Sequence, residues 1–192
     1  MTWPFAPLLP FSQDLLVVDP PAPFETYSAA GQGKSPQAQY ECMSLQAIKA
    51  LPVGDLVGVN SWCFLWATAP LLPFGIECLN AWGFDYRSYL VWEKVFASGK
   101  PAIGPGYIVR TQCEICLIGA IGSPRYRSAL PSSFKGIRRE HSRKPEEFYR
   151  LIDERFAPEH MRRADIFSRQ ARPGWTSFGN EVGKFRPTTE AA

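Results

Sequence analysis

Residues 15–24 read LLVVDPPAPF, and chemistry becomes conceivable at the acid. Asp19 places a carboxylate where an apolar run stops. Pro20 and Pro21 stiffen the chain behind it by locking φ. A carboxylate beside rigidly held peptide carbonyls offers convergent hydrogen-bond acceptors. An aromatic amine needs such acceptors to act as a nucleophile, because its lone pair is delocalised into the ring. Holding both of its hydrogens favours a pyramidal nitrogen and stabilises the charge that develops on attack. The same three residues can equally do no more than end a strand in a turn.

The elements around this triplet decide where it sits. Asp14–Val18 reads as a short buried strand. Residues 28–40 are a Gly-, Ser- and Pro-rich loop, after which Ser44 caps a helix over 45–51 that Pro52 stops. WCFLWAT (62–68), YRSYLVW (86–92), CEICLIGA (113–120), ADIFS (164–168) and WTSFG (175–179) read as further strands. Helices are expected over 71–83, with Pro73 in the first turn and Gly83 as the stop, and from Pro145 onward. Residues 121–144 read as a long basic loop. Apolar strands alternating with helices imply an α/β domain whose mostly parallel sheet is covered on both faces. Ligands of such sheets sit at the carboxyl ends of strands, which is where Asp19 falls.

The domain is expected over 14–185, with a Pro-rich arm at 1–13 and a tail at 186–192. The arm lacks the basic start of a signal peptide, and no apolar run approaches bilayer length. Five cysteines without an export signal suit reduced thiols in a cytoplasmic setting. The net charge of +3 is unevenly spread. Residues 1–60 carry two basic and five acidic side chains, whereas 125–172 carry thirteen basic and seven acidic ones. That half suits a polyanionic partner, or a solvated arginine-rich surface.

Taken in order, DPP, ECLNAWGF, YLVWEK, CEICLIGA, HSRKPEEFYRLI, ADIFSR and GWTSFGNEV resemble the MT-A70 family of adenine-N6 methyltransferases over residues 14–185. The resemblance implies a Rossmann-like α/β fold, S-adenosylmethionine as methyl donor, no metal, and transfer to the adenine amine of nucleic acid. DNA is expected rather than RNA. It implies catalytic roles for Asp19, Pro20, Pro21 and position 22, and a lip tyrosine at Tyr40. It also implies donor contacts from Asp19, Lys144, Asp165, Arg169, Asn180 and Glu181. The family more often has Glu and Gly where Asp165 and Ser168 stand, and Gln170-Ala171-Arg172 departs from the polar pair of some relatives. A homodimer or a partner subunit stays open.

At position 22 the family has an aromatic ring that stacks on the target base, and Ala22 cannot stack. Stacking is worth about 1–3 kcal/mol, so activity is expected to be reduced unless Phe24, Tyr27 or Tyr40 takes over. The alternatives are natural variation and engineered removal of the ring. Arg125, Arg127, Lys135, Arg138 and Arg139 are the expected phosphate contacts. Two rival readings are a nucleic-acid-binding scaffold that transfers nothing, and a methyltransferase acting on a protein side-chain amide. Cys113 and Cys116 form an isolated CxxC inside an apolar strand, which reads as core.

Overall fold

The computed structural model describes residues 2–23, 42–106, 108–140 and 142–185. Seven strands form one sheet: β1 (Gln13–Val18), β2 (Val57–Ala67), β3 (Asp85–Val95), β4 (Cys113–Ile121), β5 (Ser133–Ile137), β6 (Arg163–Ile166) and β7 (Trp175–Phe178). Their spatial order is β5-β3-β4-β2-β1-β6-β7. Every pairing is parallel except those of β4, which runs against both β2 and β3. This is the mostly parallel α/β sheet expected from the sequence.

Alternation along β1 explains its double burial. Leu16 and Val18 join one apolar cluster, and Leu15 and Val17 the other. The first cluster lies under α1 (Leu45–Lys49) and α2 (Leu72–Ala81). Ser44 caps α1, its hydroxyl accepting from the Ala47 amide at 3.1 Å. Gly83, just beyond α2, takes φ +83°, a conformation that favours glycine. The second cluster is covered by α3 (Glu146–Leu151) and the π-helical turn Ile152–Phe156 that continues it. Edge-to-face contacts link Phe148 to Trp66 and Phe64 there. The N-terminal arm also reaches the core, where Phe5 is buried and packs edge-on against Phe178.

Two expectations about elements need correction. Residues 121–144 are not all loop, because 133–137 form the edge strand β5, parallel to β3. Its sequence, SFKGI, buries only Gly136, so no alternating pattern marked it. Gly136 lies so near Trp92 and Pro145 that a Cβ would fall 2.7 and 2.8 Å from their side chains. β2 begins at Val57, five residues before the apolar run, through a Gly- and Asn-containing segment that is partly exposed.

Candidate functional site

β1 has β2 on one side and β6 on the other. The chain leaves β1 toward α1 and β2 and later returns on the opposite side through α3 and β6, so a crevice opens between the ends of β1 and β6. The backbone ladder continues one step further, with the Asp19 amide donating to the Ile166 carbonyl at 3.3 Å. Beyond it the prolines turn the chain. The Pro20 carbonyl accepts from the Ala22 amide (2.7 Å), and the Pro21 carbonyl accepts from the Met43 amide (3.0 Å). Each carbonyl keeps a second lone pair.

Across the crevice, β6 is followed by Phe167, whose φ of +65° is rare for a bulky side chain. That turn brings Ser168, Arg169 and Gln170 onto the crevice wall, together with Ser142, Arg143 and Lys144 from the segment before α3. Asp19, Tyr149, Asp165 and Arg172 complete much of the lining. Gly179, just after β7, sits where a Cβ would meet the Ser168 carbonyl at 2.6 Å, so the exits of β6 and β7 close on each other.

Lys144 is the electrostatic centre. Its ammonium lies 3.0 Å from Asp19 Oδ1 and 2.5 Å from Glu114 Oε1, and Lys94 reaches Glu114 Oε2 at 2.7 Å. Burial works against the Lys144 charge, but the two carboxylates outweigh it and hold the ammonium above the usual lysine range. Burial also opposes the Glu114 charge, yet Lys144 and Lys94 pull that carboxyl down to about 2. Asp19 is shifted upward by burial, with Lys144 opposing.

Asp165 forms a second network. Its Oδ2 accepts from Tyr149 Oη and Ser168 Oγ, each at 2.9 Å, and faces Arg172 Nη1 at 3.3 Å. Burial pushes its carboxyl up to about 6 against those partners. Arg172 lies 3.5 Å over the Tyr149 ring, and Arg143 holds Gln170 Oε1 with two bonds of 3.0 and 2.7 Å. The crevice thus alternates cations with carboxylates. That donor set fits a zwitterionic amino acid joined to a hydroxyl-rich sugar.

The structure brings Asp19, Lys144, Asp165 and Arg169 together as the sequence led us to expect. Glu181 reaches the group through Arg169, at 2.6 Å, while Asn180 beside it is exposed. Ala22 is buried in the first apolar cluster and is not among the crevice-lining residues. Phe24, Tyr27 and Tyr40 lie outside the described residues.

The basic residues divide. Lys135 and Arg138 are exposed on β5 and just past its end, and β5 ends on the crevice side of the sheet. Arg139 is half-buried and ion-paired with Glu146. Arg125 and Arg127 sit at the opposite end. The Arg125 carbonyl accepts from Trp62, which pairs with Leu15 early in β1, and Arg127 donates to the Glu154 carbonyl at the far end of α3. Their nearness in sequence to Lys144 did not survive folding, because β5 carries the chain from one end of the sheet to the other between them. Glu114, Lys94, Arg143 and Tyr149 escaped the sequence reading. A lone glutamate in the apolar strand CEICLIGA was a usable signal for the first of them.

Sheet order and crevice are those of an α/β S-adenosylmethionine-dependent methyltransferase. The chain belongs to the MT-A70 family, whose model matches residues 13–181, and S-adenosylmethionine is the methyl donor of that family. Among its relatives is the N(6)-adenosine-methyltransferase MT-A70-like of Arabidopsis thaliana, 30% identical over 160 residues, which are 79% of this chain and 22% of that protein. The human N(6)-adenosine-methyltransferase catalytic subunit METTL3 is 29% identical over 133 residues, 64% of this chain and 22% of its own. The N6-methyladenosine RNA methyltransferase MTA1 of Cryphonectria parasitica is 27% identical over 183 residues, 90% of this chain and 52% of its own. The chain therefore spans about a fifth of the first two relatives and about half of the third.

Proposed function

We propose that this chain transfers a methyl group from S-adenosylmethionine to the N6 amine of adenine in nucleic acid, DNA rather than RNA, in the cytoplasm. The observation that carries this is Asp19, an acceptor at the end of β1, fixed by Lys144 at 3.0 Å beside a crevice of alternating charge. The donor, when bound, supplies an electrophilic methyl on a sulfonium. Asp19 accepts a hydrogen bond from the amine, orients its lone pair and offsets the developing positive charge; the nitrogen–methyl bond forms as the sulfur–methyl bond breaks, the thioether leaves, and the amine's surplus proton passes to solvent. The Pro20 and Pro21 carbonyls, through their remaining lone pairs, are the neighbouring acceptors. Lys144, Arg143 and Arg169 face the donor's carboxylate, Asp165 its hydroxyl-bearing portion, and Asn180 and Glu181 its adenosine end. Lys135 and Arg138 contact phosphates at the crevice end of the sheet, and an adenine in a duplex must first be flipped out.

Ala22 supports a second reading, a relative that binds nucleic acid as a scaffold or partner subunit and transfers little or nothing. The deciding experiment is calorimetry with S-adenosylmethionine, followed by transfer of labelled methyl to adenine-containing DNA and RNA. Label at adenine N6 in DNA is the expected result. Sound donor binding with no label in either nucleic acid selects the scaffold, and absence of donor binding overturns the enzyme reading.

A further inference from the structure

Four charged side chains form one line of alternating sign from β3 to the end of β1: Lys94, Glu114, Lys144 and Asp19. They come together because β4 is reversed. Its first residues, and not its last, lie beside the final residues of β3, with Glu93 opposite Cys113 and Trp92 opposite Glu114. All four are at least two-thirds buried, with side-chain exposures of 21%, 11%, 8% and 29% along the line. The indoles of Trp92 and Trp66 lie under the two ammonium groups, 4.8 and 5.1 Å from ring centre to nitrogen.

The distances are graded. Each Glu114 oxygen serves a different lysine, and Lys144 sits closer to Glu114 (2.5 Å) than to Asp19 (3.0 Å). Glu114 therefore takes the larger share of the Lys144 charge. Lys144 meets Asp19 at Oδ1, so the carboxylate is held in place without both oxygens being claimed. We propose that Glu114 and Lys94 are positioning residues for methyl transfer, restraining Lys144 so that Asp19 stays oriented and open as an acceptor for the target amine.

This rests on the methyltransferase reading above. Without the Glu114 charge, Asp19 is the remaining side-chain carboxylate in contact with Lys144 among the described residues, and Lys144 closes onto the oxygens that the amine needs. Without Lys94, Glu114 loses the counter-charge that keeps it ionised and fixed. A network that serves stability alone predicts something different: altered melting with unchanged turnover of the folded fraction.

The test compares Glu114→Gln, Lys94→Met and Lys94→Arg with the unaltered chain, measuring kcat, KM for nucleic acid, calorimetric donor affinity and melting temperature. Glu114→Gln and Lys94→Met are expected to lower kcat about 10-fold or more, the scale of loss when a group supporting a reactive one is removed. Donor affinity should stay within about twofold, equivalent to ~0.4 kcal/mol. Lys94→Arg, which keeps the charge, should recover most of the rate. Unchanged kcat in the folded variants overturns the proposal, as does a rate loss that Lys94→Arg fails to restore. If Glu114→Gln does not fold, the Lys94 pair decides alone. An unaltered chain that binds donor but transfers no methyl overturns the function reading and this inference together. An active chain with indifferent variants overturns only the inference.

Discussion

Replacing Lys144 with Met keeps much of the side chain's bulk and removes its charge. Two largely buried carboxylates then lose a shared counter-ion; Glu114 keeps Lys94 in direct contact, and Asp19 keeps the field of Arg169 without a contact ion pair. Removing one partner of a buried pair costs about 3–5 kcal/mol. The Glu114 shift gives an independent scale. Its carboxyl falls from an ordinary 4.5 to about 2, which at about 1.4 kcal/mol per unit is roughly 3 kcal/mol shared between its two lysines. For a chain of this size each kcal/mol moves the midpoint by about 2–4 °C, so Lys144→Met should melt on the order of 10 °C lower at pH 7.

The pH dependence separates this cause from lost packing. A carboxyl held low in the fold stabilises it above the unfolded-state value, 4.5 for Glu114, and that stability is lost as pH falls through about 2. Lys144, held high, stabilises the fold below 10.5, and that contribution is lost only as pH rises through its elevated folded value. The unaltered chain thus has its full benefit across neutral pH. In Lys144→Met both carboxylates, Asp19 without a contact ion pair and Glu114 with Lys94 alone, shift upward and take protons in the folded state at higher pH than before. The stability gap between the two chains should therefore narrow as pH falls from 7 toward 4. Denaturant unfolding at several pH values reads this directly. A gap below about 1 kcal/mol at pH 7, or one indifferent to pH, refutes the reasoning.

Asp165 sits at about 6 in the fold against 3.8 in isolation, so its contribution is fully present below 3.8 and is lost as pH rises through 6. Asp165→Asn should flatten the stability profile across that window in pH-dependent unfolding. Asp19→Asn replaces an anionic acceptor with a neutral one and should slow transfer about 100-fold, seen in a single-turnover methylation assay. Ala22→Trp forces a ring into a packed cluster and should cost about 1–3 kcal/mol. It should give a lower melting point in place of the rate gain that stacking alone suggests, and a faster enzyme of unchanged stability would show that the ring reaches the crevice. Neutralising Lys135 and Arg138 should reduce the salt dependence of nucleic-acid affinity. Neutralising Arg125 and Arg127, at the other end of the sheet, should leave the slope as it was.

The sequence revealed whatever depended on local pattern. β1, α2 and β4 were legible because apolar runs ended on Pro or Gly, α1 because Ser44 caps it, and Asp19 stood out as an acid at the end of such a run. Lys144, Asp165 and Arg169 came from matching ordered motifs, since nothing local marks a lysine as the partner of an aspartate 125 residues earlier. What escaped was set by tertiary contact. β5 is a one-sided edge strand, Glu114 meets one lysine from β3 and one from the segment before α3, and Ala22 packs in the first apolar cluster. The basic residues cluster in sequence, but the fold divides them between two ends of the sheet.

The middle position of β1 also governs how the chain is made. Asp14 and Arg162, which bond where β1 and β6 begin, are 148 residues apart. At about 5–20 residues per second, the ribosome needs roughly 7–30 seconds to deliver the second after the first. During that interval LLVV, apolar on both faces, can gain β2 on one side but not β6 on the other. β1, which runs into Asp19, thus waits for its second neighbour long after its first has formed. Nascent chains of this protein should lean on chaperones until almost the whole sequence has emerged, and C-terminal truncations that spare every motif up to Lys144 should still yield insoluble product.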